Sequence, residues 1–303
     1  MRPARTRAAV AVLVALLPLL AACRTPPDAA PDEPAPGFPE GWRVVDLTRP
    51  LDAETPHLPH PQGFPFERIP LTGEAAGRLV GAWSATGIMG THVEAPSVFG
   101  GAGTAITRIA PEHLALPAVV LDAAPDLDVT AAVASGAALE SAEPLAPPAV
   151  AISAILAHEA RHGRIPRGSI VLLRTGDGDV ASGELALAGR APAGGYRHRG
   201  WSEDAVRFLA SERGVRAIGT DALTVDPGDR VDDSPAARAA ATVGLYTVQS
   251  LAGLGTLPRR GAVVVIGVLP VRDAHAAQAR VLAFLPPADR ADAASAAPDE
   301  PAR

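Results

Sequence analysis

The chain has 303 residues with 27 basic and 33 acidic side chains, a net charge of −6 and an isoelectric point near 5.8, which argues against nucleic acid as a partner. Every basic residue is Arg, and with neither Lys nor Asn in the sequence there is no Walker-type phosphate loop, Schiff-base lysine, protein kinase, Ser-x-x-Lys enzyme or N-glycosylation sequon. Its single Cys, Cys23, excludes an intramolecular disulfide, a zinc ribbon, an iron–sulfur cluster and a Cys-x-x-Cys redox pair, so the fold must rest on its core, which 48% hydrophobic and 20% charged residues can build.

From the N-terminus, Arg2, Arg5 and Arg7 precede an uncharged run, Ala8 to Leu20, built like a secretory signal and short for a bilayer span. It ends Leu20-Ala21-Ala22-Cys23, which resembles a lipobox, so residues 1–22 read as a signal peptide and Cys23 as a lipidation site; an ordinary signal peptide with an incidental Cys is the alternative. The protein is thus expected to be exported and anchored on the periplasmic or cell-surface side. Removal of residues 1–22 leaves 24 Arg against 33 acids, a net charge of −9. Residues 23–40 are a Pro/Ala-rich linker, residues 41–287 the folded domain and residues 288–303 a disordered tail.

Within the domain, the apolar runs 43–47, 118–122, 169–173, 215–219 and 262–267 are flanked by Gly or Pro and read as buried strands. Helices are expected over 151–162, stopped by Gly163 and Pro166; over 202–213, with Ser202 as cap and Gly214 as stop; and over the Ala-rich 235–243. Residues 129–148 show no period and stay unassigned. His158-Glu159-Ala160-Arg161-His162 matches His-Glu-x-x-His, the zinc-binding pattern of a metalloprotease. The helix stops too soon for a third ligand, and basic residues at a helix C-terminus also complement the dipole.

A second segment, Trp83-Ser84-Ala85-Thr86-Gly87-Ile88-Met89-Gly90-Thr91-His92-Val93-Glu94-Ala95-Pro96, resembles the signature of the cyclase family, metal-dependent hydrolases that include kynurenine formamidase and isatin hydrolase. Four further segments, 46–51, 162–176, 217–228 and 281–286, resemble family strands in order and at family spacing. In the family an aromatic residue tends to stand where this chain has His158. The resemblance implies an α/β chain of the swivelling β/β/α type, with a mixed sheet packed on helices, residues 81–100 close to 234–251, and a homo-oligomer.

It also implies a divalent zinc or manganese site, and there the chain departs from the pattern. Laid on the family signature, the ligand positions fall on Ile88, His92, Glu94, Val98, Ala237 and Gln249. Four of these six have lost their donor or charge; only His92 and Glu94 remain, and a catalytic zinc normally has three protein ligands. Hydrogen bonding in the loop would equally explain why these two persist. The family's Gly-rich approach to the last strand is here Asp273-Ala274-His275-Ala276-Ala277-Gln278-Ala279-Arg280. His57 and His60 could supply replacement ligands or sit in a solvent-facing loop, Trp83 could line a pocket or fill core, and Asp221 and Asp226 read as caps around Pro227-Gly228.

The expected function is therefore an exported cyclase-family protein with a degenerate metal site and little hydrolase activity. Its old pocket, lined by Trp83, Ile88, Val98, Ala237 and Gln249, would bind a small molecule or a partner, with no metal or a weakly held one and with the membrane reached through Cys23. An active amide, lactam or formamide hydrolase is the alternative, and a zincin-type protease a third.

Overall fold

The computed structural model describes residues 39–58, 66–69, 81–100, 102–123, 149–179, 196 and 198–287. The signal segment, Cys23, His60, residues 129–148 and the tail 288–303 lie outside the described residues. The described residues from Gly41 onward group as one compact unit.

The strands are β1 (Arg43–Asp46), β2 (Glu67–Ile69), β3 (Ala82–Ser84), β4 (His92–Glu94), β5 (Ala115–Asp122), β6 (Ala149–Val150), β7 (Ile170–Arg174), β8 (Gly200–Trp201), β9 (Ala217–Thr220), β10 (Tyr246–Gln249), β11 (Ala262–Val268) and β12 (Ala276–Leu285). The helices are α1 (Ile152–His162), α2 (Glu203–Phe208) and α3 (Pro235–Thr242). One eight-stranded sheet runs β1-β12-β11-β5-β7-β9-β10-β4, and β4 also pairs with β12. Seven strands thereby close into a barrel-like ring. The length of β12 makes this possible: Ala276–Gln278 pair with β4, while Leu282–Leu285 pair with β1. The run β5-β7-β9-β10 is parallel and the remaining pairs are antiparallel.

Alternation along the strands gives the sheet two buried faces. Val93, Leu116, Ile170, Leu172, Val248 and Val264 belong to one core, on the face turned from the helices. Val119, Val171, Leu173 and Ile218 face the other way and pack with Ile155 of α1, Val206 of α2 and Ala240 of α3. All five expected strands form, with shifted ends: β5 begins three residues early at Ala115, and β9 begins late at Ala217. Ser202 caps α2 by accepting from the Ala205 N–H at 3.2 Å, after which the helix widens into a π-helical turn over Leu209–Arg213 and stops at left-handed Gly214, φ 62°.

That turn holds Arg213, whose guanidinium meets both oxygens of Glu159 on α1 at 2.7 and 2.8 Å. Glu159 also accepts from the Ile165 N–H at 2.9 Å. Held in this way it is not free to act as a base, and His158 and His162, with rings 4.8 Å apart, form no zincin site with it. His158 is buried, with no hydrogen-bond partner for Nε2 among the described residues. Burial, then the charges of His162, Arg259 and Arg260, push it down to about 4. A depressed histidine contributes stability that is present above 6.5 and is lost as pH falls toward 4. We expect His158→Phe to stabilise the protein by about 1 kcal/mol at pH 8. The gain should grow by roughly 1 kcal/mol per pH unit below 6.5, because the unfolded histidine takes a proton that the folded one refuses. Urea unfolding at pH 8 and pH 5 checks this.

Candidate functional site

The short strand β4 carries the Gly-Thr-His-Val-Glu segment into the sheet between β10 and β12. His92 stands opposite Gln249 and Gln278, and Glu94 opposite Thr247 and Ala276. Val93 points into the core on the other face, so His92, Glu94, Thr247 and Gln249 share the helix-side face of the sheet. Residues 81–100 and 234–251 therefore meet, as the resemblance implied. Thr91 fixes the entry to β4, its Oγ1 accepting from the Arg49 N–H at 2.9 Å and donating to the Ser250 carbonyl at 2.7 Å.

His92 is buried, and its Nδ1 lies 2.7 Å from the Gly90 carbonyl. Nδ1 is therefore the protonated nitrogen and Nε2 carries the lone pair. Burial pushes its pKa down to about 4, against the opposing Gly90 hydrogen bond. Burial also raises Glu94, offset by a hydrogen bond from Gln249. Gln249 is fixed at both ends of its amide: Oε1 accepts from the Val225 N–H at 3.0 Å and Nε2 donates to Thr247 Oγ1 at 3.1 Å.

Above this face lies the segment 221–228. Asp226 is buried and its Oδ1 accepts from the Ala236 and Ala237 N–H groups at 2.6 and 3.2 Å, while Oδ2 accepts from Thr224 Oγ1 at 3.1 Å. It caps α3 from outside the helix, a role Ser234 leaves open by adopting a left-handed backbone with no side-chain cap. Burial, with the nearby Glu94 charge as a lesser cause, pushes Asp226 up to about 6. Asp221 does not turn the backbone around Pro227-Gly228; it receives the Thr175 N–H and hydroxyl, each at 2.7 Å, and the Gly176 and Gly178 N–H groups, organising the loop after β7. Gly200 lets β8 pass beneath Asp226, since a Cβ there would lie 2.2 Å from the Asp226 carbonyl carbon.

Of the six positions laid on the family signature, His92, Glu94 and Gln249 share one sheet face, and Ala237 donates its N–H to Asp226. Ile88 and Val98 are half-buried in the segments flanking β4. Trp83 is 49% exposed on the β2–β3 ribbon and belongs to neither core. His57 is half-buried and bonded to the Thr55 carbonyl of its own loop. At the start of β12, the altered segment brings Ala276 against Gly87, where an added Cβ would lie 2.5 Å from the Ala276 carbonyl oxygen, and Gln278 donates to the Thr86 carbonyl.

This donor set does not fit a catalytic divalent metal. Among the described residues no group of three or more His, Cys, Asp and Glu side chains could hold an ion. The one polar replacement, Gln249, has its carbonyl oxygen occupied by a backbone amide.

The Cyclase family model matches residues 45–227, more than half of the chain and the whole stretch from β1 to the segment above the site. The chain belongs to the cyclase family. Isatin hydrolase of Roseibium aggregatum is 33% identical over 138 residues, which are 44% of this chain and 51% of that protein, so the chain spans about half the length of the curated relative it matches. Among solved structures, isatin hydrolase A of Ralstonia solanacearum superposes with a TM-score of 0.65 at 29% identity, over 80% of this chain and 92% of that one. Isatin hydrolase A of Labrenzia aggregata, bound to benzyl benzoate, gives 0.65 at 28% identity, over 81% and 94%. A protein described as a potential metal-dependent hydrolase with cyclase activity shares the fold at 22% identity and TM-score 0.56, over 80% of this chain and 98% of that one. The cyclase-family fold expected from the sequence is the fold found.

Proposed function

We propose that this cyclase-family protein has given up metal-dependent hydrolysis and uses the face around His92 and Glu94 to bind a small neutral or aromatic molecule. The observation that carries the reading is Gln249: at a family ligand position it presents a neutral amide whose oxygen and nitrogen both serve the protein's own framework. Neighbouring Ala237 offers a methyl group and donates its N–H to Asp226. Hydrolysis by the family route needs a metal to lower the pKa of water and polarise the carbonyl, and the donors for it are not assembled. Among this chain's own groups, a neutral His92 with its lone pair on Nε2 and a half-buried Glu94 offer hydrogen bonds to a ligand. Purified protein assayed with isatin and with an aryl formamide should show no turnover above buffer, with or without added zinc or manganese. Turnover abolished by His92→Ala would overturn the reading.

Export belongs to the same proposal, with Cys23 acylated and the linker holding the domain off the membrane. Wild-type protein should sediment with membranes, whereas Cys23→Ala should be soluble or retain residues 1–22, because one Cys supplies the only lipid site. Finding wild-type protein in the cytoplasm with residues 1–22 attached would contradict this. A homo-oligomer is proposed on the family likeness and is checked by light scattering.

A further inference from the structure

A separate cavity lies at the opposite end of the parallel strands. The segment above the family site follows β9, whereas this cavity is bounded by residues that precede β5, β7, β9 and β10, and it measures about 430 Å³, the size of a small-molecule site. Its lining contains Arg108, Arg167, Arg216 and His113, and no Asp or Glu. In a chain with net charge −6 this is a local reversal of sign. Among the described residues none of the three guanidinium groups makes a salt bridge or hydrogen bond, whereas those of Arg174, Arg207, Arg213, Arg230, Arg259 and Arg280 are ion-paired.

The three arginines are solvent-exposed side chains carried on hydrogen-bonded backbone. Arg108 ends a 3₁₀ turn, Ile106–Arg108. Arg167 lies over Gly214, which turns the chain with φ +62° and whose missing Cβ leaves room for the guanidinium. Arg216 is anchored by its backbone, its N–H donating to the Ser169 carbonyl at 2.9 Å. At the cavity wall the Tyr246 hydroxyl donates to the His113 carbonyl at 2.5 Å, tying the segment before β5 to the start of β10.

Three arginines around one concavity concentrate positive charge there, and each offers a planar fork suited to carboxylate or phosphate oxygens. We propose that this cavity binds a small free anion carrying two or more negative charges on phosphate or carboxylate groups. It shares no residue with the His92–Glu94 face and stands or falls independently of the function proposed for that face.

Calorimetric titration of the purified full chain with inorganic phosphate and with citrate tests it. One saturable site per chain is expected for at least one of the two anions. Arg108→Ala, Arg167→Ala and Arg216→Ala should each weaken it about tenfold or more, the size of a charge-assisted hydrogen bond. Arg207→Ala, which removes an exposed arginine on α2 paired with Glu203, should bind as wild type does. Circular dichroism and melting curves matching wild type would separate lost binding from lost fold, and any variant that fails them is replaced by the Gln substitution at the same position. Absence of saturable binding of either anion, wild-type affinity in all three cavity variants, or equal weakening by Arg207→Ala would overturn the proposal.

Discussion

Combining Ile88→His, Glu94→Asp, Val98→His, Ala237→His and Gln249→Glu should give a chain that binds about one zinc or manganese ion. The scaffold for this is in place. The β4–β10 register sets position 92 directly opposite position 249, and position 237 lies in the first turn of α3 beside Asp226. A carboxylate at position 249 would keep the acceptor that the Val225 N–H needs. The gain should be visible as retained metal after desalting and should vanish when His92→Ala is added. If the five-residue variant folds, matches the wild-type melting profile and still retains no metal, decay has reached beyond the ligands into the loops that aim them. The Gly87–Ala276 approach and the Gln278–Thr86 bond are the first places to look.

Asp226→Ala should cost about 3 kcal/mol in unfolding free energy, since it removes the cap of α3 and leaves two buried N–H groups without a partner. Asp226→Asn should behave differently, because an amide oxygen still accepts those N–H groups. Burial, reinforced by Glu94, pushes the carboxyl up to about 6 from 3.8. A raised carboxylate pKa contributes stability that is fully present below 3.8 and is lost as pH rises through about 6. Relative to wild type, the Asn variant should therefore gain roughly 2–3 kcal/mol between pH 4 and pH 7. Denaturant melts across that range check both variants. A flat difference between Asn and wild type would mean that Asp226 is not the strained group its surroundings make it.

The buried strands were legible because each is a continuous apolar run closed by Gly or Pro, as strands covered on both faces must be. Three-residue β4 has no such run; only its Gly-Thr-His-Val-Glu motif located it. Closure of the ring by β4 on β12 could not be read, since it joins residues more than 180 positions apart through backbone groups that carry no side-chain signature. The π-helical turn at Leu209–Arg213 was also hidden, because the Glu159–Arg213 pair that goes with it is a tertiary contact. Within the site, the motif register placed His92 and Glu94 on β4 and Gln249 on β10, which pair in the sheet. That Asp226 caps α3, ten residues upstream of Ala236, was missed: it was read as a cap around Pro227-Gly228, because local rules place a cap next to the backbone it serves.

The most direct test of the central claim is the metal content of the purified wild-type chain, measured by elemental mass spectrometry after equilibration with zinc and with manganese and then desalting. The account expects well below about 0.1 ion per chain, because the donors at the family site are one imidazole, one carboxylate and a committed amide. One ion per chain that His92→Ala removes would contradict it and leave the active-hydrolase alternative standing.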